Sequence, residues 1–399
     1  MTVGFDVLPY PFSDGRRLDL EPQYAELRNT PGLVRVQLPY GDPCWLVTRY
    51  QEARFVLGDS RFSRAAAVGP HVPRIRPQEP TGGGILQMDP PEHSRVRRVA
   101  AKAFTARRVE QLRPRAREVV HELLDAMIQH GSPADIVEHL GLPLPVMVIC
   151  ELLGVPYEDR TRFRVWSDAF LSTTALAPDQ VARYAEEFFE YMAGLIAQRR
   201  AEPADDLLTD MIRARDEEGR ISEEELVSLA VGVLVAGHET TATQLPNFIY
   251  VLDRHRDQWD LLCQQPDLVP RAVEELMRWI PLGVGAAFPR YATEDVEVGG
   301  VVIRAGEAVL VSIAAANRDE RVFEQAEKLD VTREGNSHIG FGHGAHHCLG
   351  AQLARMELQE GLRALVTRLP QLRVAADETE LAWKTGMLVR GFIALPVTW

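Results

Sequence analysis

The stretch that decides the fold is Phe341-Gly-His-Gly-Ala-His-His-Cys-Leu-Gly350, which carries a single thiol, Cys348. Its three glycines give the backbone access to conformations that are closed to other residues. Leucines and a methionine then recur at three- and four-residue steps until Pro370, a pattern that indicates a helix. The thiol therefore lies where a loop enters a helix, and the N–H groups and dipole of a helix N-terminus favour thiolate over thiol.

A thiolate held in this way can bind a metal, and two metals fit the residues around it. A structural zinc site needs about four ligands, and His343, His346, His347 and Cys348 contain enough donor atoms. Three of them are consecutive, however, which is an awkward way to close a tetrahedron. Haem iron needs one axial protein ligand, and thiolate is one of the known choices. Haem is therefore the favoured interpretation, with zinc or a buried structural cysteine as the alternatives.

The loop resembles the haem-binding loop of the cytochrome P450 family. The matching residues are Phe341, Gly342, Gly344, His346, Cys348 and Gly350. The resemblance implies that Cys348 is the axial ligand of haem iron and that His346 binds a haem propionate. It also implies that Phe341, Gly342 and Gly350 shape the loop around the cofactor, which would be haem b.

Composition narrows the class of protein. The chain has 399 residues, 46% of them hydrophobic, and a net charge of −13, which argues against nucleic acid as a partner. Its four cysteines are far apart, which argues against a disulfide framework and for a reducing compartment. The first residues lack a basic targeting segment, and no apolar run reaches the roughly 20 residues of a membrane span. We therefore expect a cytoplasmic protein without a membrane anchor.

A basic helix is predicted after Asp89-Pro-Pro. His93 and Arg97 are four residues apart and share one face of it. A solvated basic face is the simplest interpretation of the other cations. The resemblance implies instead that His93 and Arg97 hold a haem propionate, whereas the exposed side of the helix receives an acidic ferredoxin. The cations expected on that exposed side are Arg95, Arg98 and Lys102.

The longest predicted helix begins with a capping box at residues 222–225 and continues to about residue 252, apolar on all sides. Ala236-Gly-His-Glu-Thr-Thr241 interrupts its apolar character. Glu239 and Thr240 resemble the acid–alcohol pair that relays protons to bound oxygen in the family, with Ala236 and Gly237 beside the haem and Gly237 leaving room for dioxygen. Alternatively, Thr240 bonds back to a carbonyl four residues earlier and bends the helix.

An ion pair is predicted on the next helix, where Glu275 and Arg278 are three residues apart. Such pairs are common on exposed helices. Because it precedes the cysteine loop, the pair of Glu275 and Arg278 resembles the structural Glu-x-x-Arg pair of the family. The resemblance implies a role in stability, with Lys328 or Arg333 as a third partner.

The segment after that helix carries Arg290, which by resemblance binds a haem propionate. The adjacent apolar residues, and others on the central helix and near the C-terminus, are predicted to line the substrate cavity, although packing is the alternative role for each. These residues are Val235, Val284, Ala287, Phe288, Met387 and Leu388.

The four signatures follow the family order and span nearly the whole chain. They imply one mainly helical domain over residues 1–399, with small β-sheets and a long central helix over the haem. They also imply a haem-thiolate monooxygenase that takes electrons from NAD(P)H through ferredoxin reductase and ferredoxin. The overall texture is most similar to soluble bacterial members that hydroxylate or epoxidise macrolides or other polyketides in antibiotic biosynthesis.

Several alternatives stay open at this point. The haem-thiolate centre of such a protein can be driven by peroxide, or can catalyse oxidative coupling or carbon–heteroatom bond formation. From other classes, a zinc protein or a non-catalytic haem sensor remains. The chain is expected to be monomeric.

Overall fold

Helices dominate the structure, a computed structural model that describes residues 7–399. Two of them, a long helix in the middle of the chain and the helix after the cysteine loop, matter most for the site. The α-helices are α1 Pro22–Asn29, α2 Tyr50–Gly58, α3 Glu92–Ala101, α4 Ala106–His130, α5 Pro143–Leu153, α6 Arg160–Leu171, α7 Pro178–Ala201, α8 Leu207–Asp216, α9 Glu223–Arg254, α10 Arg256–Gln264, α11 Val269–Trp279, α12 Ile313–Ala316 and α13 Ala351–Arg368.

The strands are short and form small sheets. They are β1 Leu8–Pro9, β2 Val34–Gln37, β3 Cys44–Val47, β4 Phe62–Ser63, β5 Ala134–Asp135, β6 Arg290–Ala292, β7 Val296–Val298, β8 Val301–Ile303, β9 Ala308–Val311, β10 Arg373–Val374, β11 Ala382–Trp383, β12 Phe392–Ala394 and β13 Pro396–Thr398. The largest sheet has the order β1-β2-β3-β9-β6-β4, and β5, β10 and β13 form a second sheet. The predicted mainly helical class with small sheets is confirmed.

Two hairpins occur among these strands. β2 and β3 pair antiparallel, in a segment where apolar residues alternate with polar ones. β7 and β8 are joined by Gly299 and Gly300, which have φ values of +58° and +80°. A two-residue turn with two positive φ values is the type that matches the twist of a hairpin, and glycine adopts it without steric cost.

Helix α9 is the central element, with 32 residues. Its N-terminus is capped as predicted: the Glu225 N–H donates to Ser222 Oγ, and the Ser222 N–H donates to Glu225 Oε2. By length and composition α9 resembles a membrane span, but it packs against α5, α7 and α13 and most of its apolar stretch is buried within the protein. The apolar character of α9 therefore reflects a core position.

Pro246 lies inside α9 without ending the helix. Proline cannot donate a hydrogen bond to the carbonyl four residues earlier, here that of Ala242. A side chain at Gly141 would come within 2.8 Å of the Pro246 ring and 3.1 Å of the Ala242 carbonyl oxygen. The π-helical turn Val137–Gly141 therefore packs directly on this part of α9, and Gly141 permits the close approach.

The largest hydrophobic cluster runs from Leu18 to Val397 and includes residues of α3 to α11, α13 and β13. A second cluster lies between α2 and the strands around β9, and a third between β2, β3 and α12. The largest cluster joins most of the helices, as expected for one domain. That residues 1–399 form a single domain stays a prediction.

Candidate active site

The cysteine loop is closed by its own backbone. The Cys348 N–H donates to the Phe341 carbonyl oxygen over 2.8 Å, and the Gly342 N–H donates to the Ile339 carbonyl oxygen over 2.8 Å. A single 3₁₀ turn, Gly344–His346, lies between Gly342 and Cys348, and α13 begins at Ala351. The thiol therefore lies at the junction of a rigid loop and a helix, as predicted.

The glycines of this loop have different reasons to be glycine. Gly342 and Gly344 have φ values of +78° and +72°, in the left-handed region. A side chain at Gly344 would also collide with the Leu57 carbonyl oxygen. Gly350, in contrast, has an ordinary φ of −85° and open space where a side chain would be. The prediction of a special backbone conformation is therefore confirmed for Gly342 and Gly344 and wrong for Gly350.

The loop around Cys348 acts on its thiol in two directions. Desolvation raises the pKa of the thiol, whereas a hydrogen bond from the Gly350 backbone and the charges of Arg97 and Arg355 lower it. The hydrogen bond and the two cations therefore act in the direction that the sequence predicts, and burial acts against them. A coordinating metal deprotonates a thiol outright.

Two predicted propionate ligands, distant in the chain, lie against each other. The rings of His93 and His346 have centroids 4.2 Å apart. Arg290 is 7% exposed and donates to the Phe62 carbonyl oxygen over 3.2 Å. Desolvation is the main cause that lowers the pKa of both histidines, and the charge of Arg290 acts in the same direction. The structure therefore brings His93, Arg290 and His346 together.

A further cation, Arg64, belongs to this group and was not predicted. It is buried, donates through Nε to the Leu86 carbonyl oxygen over 2.9 Å, and also donates to the Pro289 carbonyl oxygen. Desolvation, followed by the charge of Arg290, lowers the pKa of Arg64 to about 10. Nothing in the local sequence around Arg64 distinguishes it from an exposed arginine, because the residues that enclose it come from other segments.

The charges of this cluster are suited to an anion. Desolvation, then His93, Arg290 and Arg64, lower the pKa of His346 to about 3, and Asp89 is the one group that opposes the shift. His346 Nε2 is buried and has no hydrogen-bond partner among the described residues. A buried polar atom without a partner costs roughly 1–3 kcal/mol. Four basic side chains with one nearby carboxylate and an unused nitrogen therefore fit the two carboxylates of haem.

The basic residues of α3 differ in what they contact, and not all of them follow the prediction. Arg97 donates to the His347 carbonyl oxygen over 2.6 Å, so it lies beside the cysteine loop as predicted. Arg95 makes a bidentate pair with Glu225, at 2.6 and 2.9 Å. The prediction that Arg95 is available to a ferredoxin is therefore wrong, because Arg95 fastens α3 to the first turn of α9. Arg98 and Lys102 are exposed.

Glu239 and Thr240 are adjacent in sequence but make separate contacts. Glu239 is 1% exposed, and its Oε1 accepts hydrogen bonds from Lys384 Nζ and from Thr243 Oγ1. Thr240 Oγ1 donates to the Ala236 carbonyl oxygen over 3.0 Å. The alternative of back-bonding by Thr240 is therefore the arrangement observed, and Glu239 is held by a lysine that the sequence did not predict.

The part of α9 around Thr240 is less buried than the rest of the helix. Gly232 and Ala236 are exposed, and Gly237 and Thr240 are partly exposed. A side chain at Gly237 would come within 2.7 Å of Ile149 on α5. Close packing of two helices is therefore one reason for this glycine, and the room that it leaves for dioxygen stays a prediction.

Glu275 and Arg278 form a buried, bidentate ion pair with both distances at 2.8 Å. Arg333 Nε and Asn336 Nδ2 also donate to Glu275, at 3.0 Å each to Oε2. Arg333 is therefore the third partner. Lys328 contributes its carbonyl oxygen to Arg278 rather than its charge. The group joins α11 to the segment that leads into the cysteine loop.

The predicted cavity residues fall into two groups. Val235 and Met387 are 8% exposed, Ala287 and Leu388 are partly buried, and Phe288 is 57% exposed beneath the guanidinium of Arg64. Val284 is similarly buried and also lies beside Gly15, where a side chain would come within 2.6 Å of it. Val284 therefore packs against the N-terminal segment, and its place in the cavity wall stays a prediction.

The C-terminal part of the predicted cavity is a loop. Met387 and Leu388 lie between β11 and β12 instead of in a strand. The Leu388 N–H donates to the Leu171 carbonyl oxygen over 2.8 Å, and the Val284 N–H donates to the Leu388 carbonyl oxygen over 2.9 Å. This loop therefore joins the end of α6 to the segment before Arg290.

Zinc finds no support in this arrangement. Among residues 7–399, no group of three or more His, Cys, Asp or Glu side chains is placed to hold a metal ion. The three consecutive residues of the cysteine loop point to different surroundings: His346 contacts His93, and the His347 carbonyl accepts from Arg97. Haem needs one axial protein ligand, and the basic side chains nearby suit its carboxylates.

Comparison with known proteins places the chain in one family. The Cytochrome P450 family model matches residues 19–265 and 253–379. The mycinamicin IV hydroxylase/epoxidase of Micromonospora griseorubida is 54% identical over 98% of both chains. The nocardicin C N-oxygenase of Nocardia uniformis subsp. tsuyamanensis is 51% identical over 99% of both. The crystal structure of HinD matches 99% of this chain and 100% of its own, with a TM-score of 0.95 and 50% identity.

The conclusion follows from the site and from these similarities together. A loop thiol, a cationic cluster for two carboxylates, and an acid and an alcohol on the central helix occur in a chain that matches this family over most of its length. The protein therefore belongs to the cytochrome P450 family of haem-dependent monooxygenases.

Proposed function

We propose that this protein hydroxylates or epoxidises a macrolide or a related polyketide. The observation that carries the proposal is the 54% identity, over 98% of both chains, to a mycinamicin IV hydroxylase/epoxidase. Family members of bacteria typically receive electrons from NAD(P)H through ferredoxin reductase and ferredoxin.

Residues of this chain would hold haem in two places, at its iron and at its propionates. Cys348 would bind the iron, with Phe341, Gly342 and Gly350 around it, and the loop is already closed by the hydrogen bond from Cys348 to Phe341. The propionates would lie among these basic side chains, pair with the arginines and accept hydrogen bonds from the histidines. The residues for that role are Arg64, His93, Arg97, Arg290 and His346.

When bound, haem with a thiolate ligand supplies the oxidising chemistry, because the thiolate favours cleavage of the O–O bond. The protein supplies position, charge and protons. Thr240 would release its hydrogen bond to Ala236 and offer its hydroxyl to the cavity beside Ala236 and Gly237. Glu239 would pass protons toward that hydroxyl, since its Oε2 is buried and has no partner among the described residues.

The substrate would lie above Ala236, enclosed by residues from three segments. Val235 belongs to α9, Ala287 and Phe288 to the segment before β6, and Met387 and Leu388 to the loop before β12. Because the hydrogen bonds of Leu388 tie this loop to α6 and to Val284, movement of α6 would be transmitted to the cavity wall. Substrate size would thus be set by these tied segments.

The experiment is a substrate panel with the haem-loaded protein. Macrolides, a nocardicin-type amine and a phenol would each be tested for a substrate-induced change of the iron spin state and then for product by mass spectrometry. We expect binding and an added oxygen atom with a macrolide. Conversion of the amine to an N-oxygenated product, or joining of two phenols, with no macrolide product would overturn the proposal in favour of those chemistries.

For the electron donor, we propose that an acidic ferredoxin docks on the surface of Arg98 and Lys102. Both side chains are exposed, and no ion pair within residues 7–399 engages them. The double variant Arg98→Glu, Lys102→Glu should raise the KM for ferredoxin several-fold at low salt, and less at high salt, where charges are screened. Arg304→Glu, at an exposed arginine after β8 that pairs with Asp295, is the control for a charge reversal elsewhere on the surface. An unchanged KM in the double variant would exclude this surface.

We further propose that the protein is a cytoplasmic monomer. Sedimentation at several concentrations would test the monomer, because a self-associating chain would show a rising average mass.

A further inference from the structure

Two adjacent acids on α11 serve two different networks. Glu275 holds Arg278 and Arg333. Glu274 instead accepts from Arg355 of α13, from Nε over 2.7 Å at Oε1 and from Nη2 over 3.0 Å at Oε2. An arginine that binds one carboxylate through two nitrogens is fixed in orientation as well as in position. The guanidinium of Arg355 is therefore held in one place between α11 and α13.

The same carboxylate is joined to the segment that leads into the cysteine loop. His338 Nε2 donates to Glu274 Oε2 over 3.0 Å, and the Gly340 N–H donates to His338 Nδ1 over 2.9 Å. Because Nδ1 is an acceptor, Nε2 is the ring nitrogen that carries the proton. A side chain at Gly340 would come within 2.8 Å of the Met277 carbonyl oxygen. The start of the loop therefore lies directly against α11, in a fixed relation to Glu274.

The guanidinium of Arg355 also lies over the ring of Phe341, with 4.3 Å between Cζ and the ring centroid. A cation in this position is attracted by the electrons of the ring. Phe341 is the residue whose carbonyl oxygen accepts from the Cys348 N–H over 2.8 Å. The contacts therefore run without a gap from α11 through Arg355 and Phe341 to Cys348.

Both members of the pair carry their charges at neutral pH. Burial raises the pKa of Glu274, but the hydrogen bonds from His338 and Arg355 outweigh burial and lower it to about 2. Arginine keeps its proton in proteins. The member of the pair that lies on Phe341 is thus a cation, and the carboxylate of Glu274 cancels part of its field.

We propose that Arg355 and Glu274 set the reduction potential of the haem iron, with Arg355 raising the potential and Glu274 limiting the rise. The iron takes one electron from the ferredoxin, which adds one negative charge to the iron and its thiolate. A nearby cation favours that reduced form, and a nearby anion disfavours it. Groups around an axial ligand are a known means of adjusting such potentials.

Arg355 and Glu274 are positioning residues in this inference, because they act on Cys348 through charge and through Phe341. The inference rests on the proposed ligation of iron by Cys348. It does not depend on which substrate the enzyme oxidises.

The test is a potentiometric titration of the substrate-free haem protein. Arg355→Met should lower the potential, so that the ratio of ferrous to ferric iron at a fixed applied potential falls severalfold. Glu274→Gln should raise the potential, because the amide keeps the shape of the carboxylate but leaves the charge of Arg355 uncancelled. Arg355→Lys keeps the cation and should restore much of the wild-type value. Arg363→Met and Asp267→Asn are the matched controls, at a more exposed pair between α13 and the segment before α11, and should change nothing.

The C–O stretch of the reduced carbon-monoxide complex provides a second measurement. It should move to lower frequency in Arg355→Met, because the thiolate then donates more electron density, and to higher frequency in Glu274→Gln. Opposite shifts distinguish a charge effect from a structural one, since a loop loosened by either variant would admit water and shift both in the same direction.

An unchanged potential in Arg355→Met, or shifts of the same sign in Arg355→Met and Glu274→Gln, would overturn the inference. If Arg355→Met does not retain haem, Glu274→Gln decides alone: a higher potential supports the inference, and an equal or lower one overturns it. A wild-type protein without the absorption band of thiolate ligation would overturn the proposed ligation itself. Failure of the ligation and failure of the inference can thus be told apart.

Discussion

Cys348 and Phe341 are joined by a backbone hydrogen bond of 2.8 Å that closes the loop between them. The bond does not involve the thiol. Removal of the sulfur should therefore leave the loop in place and remove only the metal ligand, which makes Cys348 suitable for a test of ligation.

Cys348→Ala should yield folded protein without a competent haem-thiolate centre. The measurement is the spectrum of the reduced carbon-monoxide complex, in which the band of thiolate ligation should be lost. Cys263→Ala, at a partly buried cysteine on α10, is the control and should keep the band. A normal thiolate band in Cys348→Ala would refute the assignment of the ligand.

Arg290→Gln should weaken haem retention. Arg290 is buried and contributes charge to the cluster of His93 and His346. Loss of a charge-assisted hydrogen bond costs about 1.5–3 kcal/mol, so haem should leave roughly ten- to a hundredfold faster. The transfer of haem to an apoprotein acceptor measures this rate. Arg304→Gln, at an exposed arginine, should leave it unchanged, and equal rates in both variants would remove Arg290 from the propionate site.

Glu275→Ala should destabilise the protein by about 3–5 kcal/mol, because Arg278 and Arg333 would stay buried without their carboxylate. Both side chains of the Glu275–Arg278 pair are fully buried. Denaturant unfolding measures the free energy. Glu294→Ala, at a carboxylate that is 63% exposed and paired with Arg61, is the control and should cost at most about 1 kcal/mol. Similar losses in the two variants would contradict a structural role for the buried pair.

Thr240→Ala should lower the yield of product per NAD(P)H with little effect on stability. The hydroxyl that is removed bonds only to a carbonyl of its own helix, that of Ala236. Thr367→Ala is the matched control, because Thr367 bonds back to Arg363 over 2.8 Å on an exposed part of α13. If Thr240→Ala retains full coupling, Thr240 has no part in proton delivery, although the fold assignment would stand.

Glu274→Gln should change how stability depends on pH. Burial raises the pKa of Glu274, but the hydrogen bonds and charges of His338 and Arg355 outweigh burial and lower it to about 2. The ionised form is thus stabilised in the folded protein, so its contribution is complete above about pH 4.5 and is lost as the pH falls toward 2. The variant should be less stable by roughly 2–3 kcal/mol at neutral pH.

Unfolding measured at several pH values would check the last prediction. The difference between Glu274→Gln and the wild type should shrink as the pH falls below 4.5. A difference that is constant with pH would show that the variant acts through packing instead of charge.

Much of the site could be predicted from local patterns. The cysteine loop, the capping box at Ser222 and the pair of Glu275 and Arg278 are each short in sequence, and a short pattern fixes its own geometry through backbone and side-chain hydrogen bonds. The contacts of Arg95, Val284 and Gly237 could not be predicted, for a common reason. Each of these residues meets a residue of another segment: Glu225, Gly15 and Ile149, respectively.

Arg64 and Lys384 are residues of the site that the sequence analysis missed. Sequence alone did not indicate either, since a lone Arg or Lys in a polar stretch is most often exposed. Arg64 belongs to the cluster of basic side chains because it is buried beside Arg290. Lys384 is the partner of Glu239 because its ammonium reaches α9.

Local sequence patterns were enough to indicate the family, the mainly helical class and a candidate metal ligand, Cys348, because these depend on residues close together in the chain. The tertiary structure was needed to show which basic residues lie around His346 and that the Lys384 ammonium pairs with Glu239. Those contacts depend on charges that interact across a buried, weakly screened interior, where residues far apart in the chain become neighbours.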